Sequence, residues 1–267
     1  MRKAFKYVVV VTFAMMLCMA FQRDVPGVVI RFPNNACVVK ADEIGNTYII
    51  NKEEILKYNA AGTFLKRYSN KRLGAISIFD CTNPLKILVY YKDFQQLVFL
   101  DDQLTANSEV ISLEDLGYEQ TDLICTSANN SFWIYSKQNN ELVRFNAQLQ
   151  PIVKTGNLKP VLQVDLTPNM IKESNGYLYM NCPDEGILVF DIYGTFYKTY
   201  PLRQLKEFNI MNETIVFFKD HKLQQYQPLT FNTAEKAMSD TLIQNVYWQK
   251  DRVFYIYSDS VLIGPSF

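Results

Sequence analysis

Short runs of aromatic and β-branched residues recur along this chain at a nearly constant interval, and that periodicity limits the fold more than any local pattern does. The runs are Tyr48-Ile49-Ile50, Ile87-Leu88-Val89, Phe132-Trp133-Ile134, Leu178-Tyr179-Met180, Ile215-Val216-Phe217 and Val253-Phe254-Tyr255. From Tyr48 through Leu88, Trp133, Tyr179, Val216 and Phe254 the steps are 40, 45, 46, 37 and 38 residues, which makes six units. A polar turn and a second apolar run follow each of them, at Ile55 to Tyr58, Leu97 to Leu100, Leu142 to Phe145, Ile187 to Phe190, Leu223 to Tyr226 and Val261 to Ile263. Each pair therefore reads as a β-hairpin.

A further strand is expected ahead of every hairpin, at Ala36 to Lys40, Ala75 to Phe79, Asp122 to Thr126, Asn169 to Glu173, Glu207 to Met211 and Ile243 to Trp248. Outer strands are expected after the hairpins, best seen in the matching segments Gly62 to Tyr68 and Gly194 to Tyr200. Four units share an Asn or Asp three positions before a Gly or Leu: Asn59/Gly62, Asp101/Leu104, Asn146/Leu149 and Asp191/Gly194. An Asx side chain there bonds its own backbone and starts a tight turn, and the later position needs positive φ. Four strands in about 40 residues is the blade of a propeller. The expected fold is all-β, a six-bladed β-propeller of four-stranded blades, with at most a helical turn at Leu202 to Phe208.

The last unit ends after its third strand, while Val28-Val29-Ile30-Arg31-Phe32 precedes the first complete unit. Pairing these two would supply the missing outer strand, close the ring and cover an open edge. The segment Asp42-x-x-Gly45-Asn46-x-Tyr48-Ile49, with Ile55-x-Lys57-Tyr58-Asn59-x-x-Gly62-x-Phe64, resembles the NHL-type and YncE-like propeller repeats. That resemblance implies an exported bacterial type of propeller whose members mostly bind proteins or ligands.

Residues 1–20 read as a secretory signal: Arg2, Lys3 and Lys6, an apolar run from Tyr7 to Leu17, and small residues before a cut after Ala20. The run is short for a membrane span. Lipid attachment at Cys18 is disfavoured because Leu17, Met16 and Met15 precede it. Residues 21–267 then form the propeller, in the periplasm or outside the cell, touching a membrane only through a partner or an uncleaved signal. Of the remaining cysteines, Cys37, Cys81, Cys125 and Cys182, three lie in apolar strand-like contexts, so complete disulfide pairing is not expected.

The chain carries 27 basic and 27 acidic residues, which removes the long-range field that nucleic acid requires. The single histidine, His221, falls in a hairpin turn, and no metal, nucleotide or nucleophile motif is present in the sequence. Propellers resembling sugar lactonases gather acids around a channel metal. The candidates here, Asp42, Asp80, Asp122, Asp165 and Glu173, occupy different ends of their strands and are expected to be turn or strand-end carboxylates. No catalytic residue, cofactor or metal is therefore expected.

Three segments, Ala106 to Thr121, Thr155 to Pro168 and Phe231 to Thr241, look longer than blade connections require. Their apolar residues Leu113, Leu116, Tyr118, Leu158, Val161, Leu162, Phe231 and Met238 read as contacts for a protein partner or as blade-edge packing. The functional expectation is a non-enzymatic scaffold that binds another envelope or secreted protein, as an accessory part of a cell-envelope assembly. The alternative is a hydrolase or sensor of a small sugar- or lactone-like molecule in the central channel.

Overall fold

The computed structural model of the chain describes residues 27–32, 37–106 and 109–265. The signal of residues 1–20, Cys18 and the first residue of the expected first strand, Ala36, lie outside the described residues. Six four-stranded antiparallel sheets form a ring, and their order along the chain is that of the six repeats.

Blade 1 comprises β2 (Val38–Ala41), β3 (Thr47–Asn51), β4 (Glu54–Tyr58) and β5 (Phe64–Ser69). Blade 2 comprises β6 (Ile78–Asp80), β7 (Ile87–Tyr91), β8 (Gln96–Leu100) and β9 (Ile111–Ser112). Blade 3 has β10 (Thr121–Thr126), β11 (Phe132–Ser136), β12 (Glu141–Phe145) and β13 (Pro151–Lys154). Blade 4 has β14 (Met170–Ser174), β15 (Tyr177–Cys182), β16 (Gly186–Asp191) and β17 (Phe196–Tyr200). Blade 5 has β18 (Asn209–Met211), β19 (Thr214–Lys219), β20 (Lys222–Gln227) and β21 (Asn232–Ala237). Blade 6 has β22 (Asn245–Gln249), β23 (Arg252–Ile256) and β24 (Ser260–Pro265), and takes β1 (Val28–Arg31) as its outermost strand. The closing pairs are Val28 with Ile263, Val29 with Leu262, Ile30 with Val261 and Arg31 with Ser260. Phe32 extends the junction by donating its N–H to the Asp259 carbonyl.

Strand periodicity explains how each blade holds both neighbours. Successive side chains point to opposite faces of a sheet. Tyr48 and Ile50 of β3 therefore pack toward blade 2, while Ile49 between them packs toward blade 6. The same division around the ring produces six apolar cores, one at every blade junction. Middle strands are consequently buried on both faces: all five residues of β7, β11 and β12 are buried. The outermost strands lose that second neighbour, and all six residues of β21 are exposed.

The repeated Asx turns take one geometry. In each, the side-chain oxygen accepts backbone N–H groups two and four residues on, as Asn59 does from Ala61 and Thr63, and Asp191 from Tyr193 and Thr195. The fourth position sits at positive φ, 76° at Gly62 and 81° at Gly194, with Leu104 and Leu149 at 56° and 61°. At Gly194 space is also limiting, because an added Cβ would lie 2.7 Å from Thr155 Cγ2.

Leu202 to Phe208, where a helical turn at most was expected, contains none; the short helices among the described residues are a 3-10 turn at Lys92–Phe94 and α1 at Lys159–Leu162. One expectation needs correction. The segments Ala106 to Thr121 and Phe231 to Thr241 are not surplus connections, because they contain β9 and β21, the outer strands of blades 2 and 5. Cys81, Cys125 and Cys182 are buried free thiols.

Candidate functional site

The six innermost strands surround a channel cavity of 370 Å3. Each blade contributes a side chain to its wall: Lys40 from β2, Asp80 from β6, Cys125 from β10, Lys172 from β14, Glu207 from the entry to β18, and Tyr247 from β22. Most sit in short, otherwise apolar strands, such as Val38-Val39-Lys40-Ala41 and Met170-Ile171-Lys172. Their flanking residues are drawn into the blade junctions, Val39 into one and Ile171 into another. The intervening residue is left facing the axis.

Lys40 and Glu207 form an ion pair of 2.5 Å that reaches from blade 1 to blade 5. The Lys40 ammonium also lies 5.3 Å from the centre of the Tyr247 ring on the intervening blade. Asn245 donates to the second Glu207 oxygen. Burial pushes the Glu207 carboxyl up, but the Lys40 charge and these hydrogen bonds outweigh it and hold the group below the usual carboxylate range. Lys40 is held above the ordinary lysine value for the reciprocal reason, Glu207 overcoming the effect of burial.

Asp80 accepts from the Thr82 N–H at 2.9 Å, and from the Thr126 N–H and hydroxyl, both at 2.8 Å. Burial again acts to raise its carboxyl, and the Lys172 charge with these donors lowers it overall. Lys172 differs from the others. Among the described residues its ammonium has no ion pair and no side-chain hydrogen bond. Burial pulls it below the ordinary lysine range; the Asp80 charge opposes that shift and the Lys40 charge adds to it. Burial raises the neighbouring Cys81 and Cys125 thiols, so both are protonated at neutral pH.

Of the five acids considered from sequence, only Asp80 and Glu173 line the channel. Glu173 turns toward blade 3, accepting from Ser127 at 2.5 Å, the Ala128 N–H at 3.0 Å and Trp133 Nε1 at 2.6 Å. Asp42 organises its own turn, taking hydrogen bonds from the Ile44 and Asn46 backbone, the Asn46 amide and the Tyr48 hydroxyl. Asp122 pairs with Lys92 at 2.7 Å, and Asp165 pairs with Lys159 at 2.5 Å on the surface. Among the described residues no group of three or more His, Cys, Asp or Glu side chains is placed to hold a metal ion. His221 is exposed in the β19–β20 turn at a φ of 55°.

The eight apolar residues named as partner contacts divide by burial. Leu113 and Tyr118 are buried in the junction of blades 2 and 3, and Leu158 in that of blades 3 and 4. Leu116, Leu162 and Met238 are half-buried and pack on these or the blade 5–6 junction. Val161 and Phe231 remain exposed, at 64% and 74%. Phe231 precedes β21 and Met238 follows it, so the two lie at opposite ends of that strand.

Lys40, Lys172, Glu207 and Tyr247 were missed as channel residues by sequence reasoning. The signal was available: a lysine inside a short apolar strand that opens a blade has only the channel in which to place its charge.

No family model matches the sequence, and no curated protein sequence matches it. Several solved structures share the fold. A streptogramin B lyase superposes with a TM-score of 0.61 at 11% identity, covering 90% of this chain and 98% of the lyase. BBS1N, solved in complex with ARL6DN, gives 0.54 at 7% identity over 85% of this chain and 76% of its own. The Neurospora crassa Pan2 WD40 domain gives 0.57 at 9% identity over 91% and 97%. At such identities the likeness establishes the propeller fold, and it extends equally to an enzyme and to domains of the WD40 kind.

Proposed function

We propose that the chain is a non-enzymatic propeller, exported to the periplasm or cell exterior, that binds another envelope or secreted protein. The observation that carries this reading is the state of the acids. Asp42, Asp80, Glu173 and Glu207, the groups a propeller enzyme would turn toward a metal or substrate, are each engaged by donors of the chain itself. A carboxylate so engaged would have to abandon several charge-assisted hydrogen bonds to become a ligand or base. The one histidine is exposed in the β19–β20 turn and is not among the residues lining the channel. A hydrolase thus lacks a disengaged carboxylate or a histidine in the channel among the described residues.

Partner binding is supported by the exposed apolar residues at loop tips, where a rigid scaffold places its contacts. Leu229 and Phe231 are 78% and 74% exposed in one turn, between β20 and β21. The solved BBS1N propeller is an instance of the fold engaging a protein, ARL6DN. Trimming Ala106 to Thr121 is not a usable test, since Leu113 and Tyr118 there belong to a core. The test is photo-crosslinking in native envelopes from position 231, with position 161 on a different blade as comparator. One discrete crosslinked species, lost with Leu229→Ser, supports the reading. The same adducts from both positions, unaffected by that substitution, would refute it. Fractionation of cells expressing the full chain tests export.

A further inference from the structure

We propose that the central channel is a binding site for a small monocarboxylic acid, seated on the Lys172 ammonium. This is independent of partner binding on the loops. A partly buried cation lacking a partner is costly unless a ligand or water supplies oxygen atoms to its three N–H groups. Lys172 faces the 370 Å3 cavity, a volume in the range of small-molecule sites. On the channel wall Lys40 is held by Glu207, Glu207 also by Asn245, Asp80 by Thr82 and Thr126, and Glu173 by Ser127, Ala128 and Trp133. Lys172 alone of these keeps its N–H groups without a protein acceptor among the described residues, and it lies within the field of Asp80. Because Asp80, Glu173 and Glu207 also line the channel, a ligand with a single negative charge fits it best. A phosphate dianion would add a second negative charge close to Asp80 and Glu207. The channel lining also includes Ile78, Ile124 and Phe208 together with the protonated Cys81 and Cys125 thiols, which suits an acid with a partly apolar body.

The experiment compares acids with their neutral amides on the folded protein. Butyrate and lactate are titrated against butyramide and lactamide at constant ionic strength, by ligand-observed NMR. Saturable binding of an acid, with its amide at least tenfold weaker, is expected. Lys172→Met should abolish that preference and Lys172→Arg retain it, while substitution of Lys206 at the rim leaves it unchanged. Should Lys172→Met fail to fold, backbone NMR shifts of the unsubstituted protein give the answer. Changes centred on residues 80, 125 and 172 support the site. Absence of saturable binding, equal binding of acid and amide, or shifts confined to outer loops would overturn it.

Discussion

Removing the Ile30 side chain should cost several times more stability than removing that of Val29, although the two are adjacent in the four-residue strand β1. Ile30 is 3% exposed and packs with Val39, Ile49, Phe254, Val261 and Ile263, so it belongs at once to blade 6 and to the junction with blade 1. Ile30→Ala deletes three buried carbons, worth about 0.8 kcal/mol each in transfer free energy. The cavity left behind adds to this, for a total of roughly 2.5–4 kcal/mol. Val29 is 55% exposed, and Val29→Ala should cost under about 1 kcal/mol on the same scale.

Equilibrium urea unfolding of both variants reads the difference directly, and for a domain of this size 2.5 kcal/mol lowers Tm by roughly 5–10 °C. Truncation before residue 33 should be worse than either substitution. It removes Phe32 as well, and it leaves β24 with a free edge able to pair with other molecules. Equal costs for Ile30→Ala and Val29→Ala, or a truncated chain that melts unchanged and stays monomeric, would refute closure of the ring by β1.

Three further outcomes are expected. Glu173→Leu leaves Trp133 Nε1 and the Ala128 N–H without their acceptor, and should cost about 1–3 kcal/mol by urea denaturation, against a smaller loss for Glu173→Gln, which keeps one oxygen. Gly194→Ala should cost more than about 1 kcal/mol, since it imposes a Cβ at a φ of 81° and drives it against Thr155; a neutral effect would show that the turn relaxes. The carboxyls of Asp80 and Glu207 lie lower in the folded chain than in the unfolded one, so their contribution is complete above about pH 4 and lost as pH falls through the folded values. The urea midpoint should therefore drop as pH falls below the usual carboxylate range, less steeply in Glu207→Gln, and a parallel profile in that variant would remove Glu207 from the cause.

The blades were legible because the middle strands, buried on both faces, are continuous apolar runs that recur at a nearly constant interval, and because the Asx turn repeats with its own chemistry at Asn59, Asp101, Asn146 and Asp191. Outer strands were less so. Asn232–Ala237 reads Asn-Thr-Ala-Glu-Lys-Ala with both faces in solvent, and β9 has only two residues, so neither shows an alternation that burial would impose. Leu113, Tyr118 and Leu158 were ambiguous for another reason. The same composition serves a loop that clamps a blade junction and a loop that offers a contact, and only the path of the chain around the rim separates them. The channel was obscured because its residues are scattered from Lys40 to Tyr247 and meet only when the ring closes.

Closure also makes the two proposed activities separable in one sample. The flanks of each inner strand are fixed in the blade junctions, while Lys172 projects between them into the cavity without belonging to any of the six cores. An acid bound there is held by inner strands of several blades, and so stabilises the closed ring as a whole, by about 2.7 kcal/mol at one hundred times its Kd. A protein bound at the β20–β21 turn engages only the periphery of blade 5, beside the fully exposed β21. The ring between them is packed at every junction, and coupling would need an element with two arrangements that both sites bias. Loss of crosslinking from position 231 should therefore leave the acid-induced rise in Tm intact, and Lys172→Met should remove that rise without altering the crosslinked species.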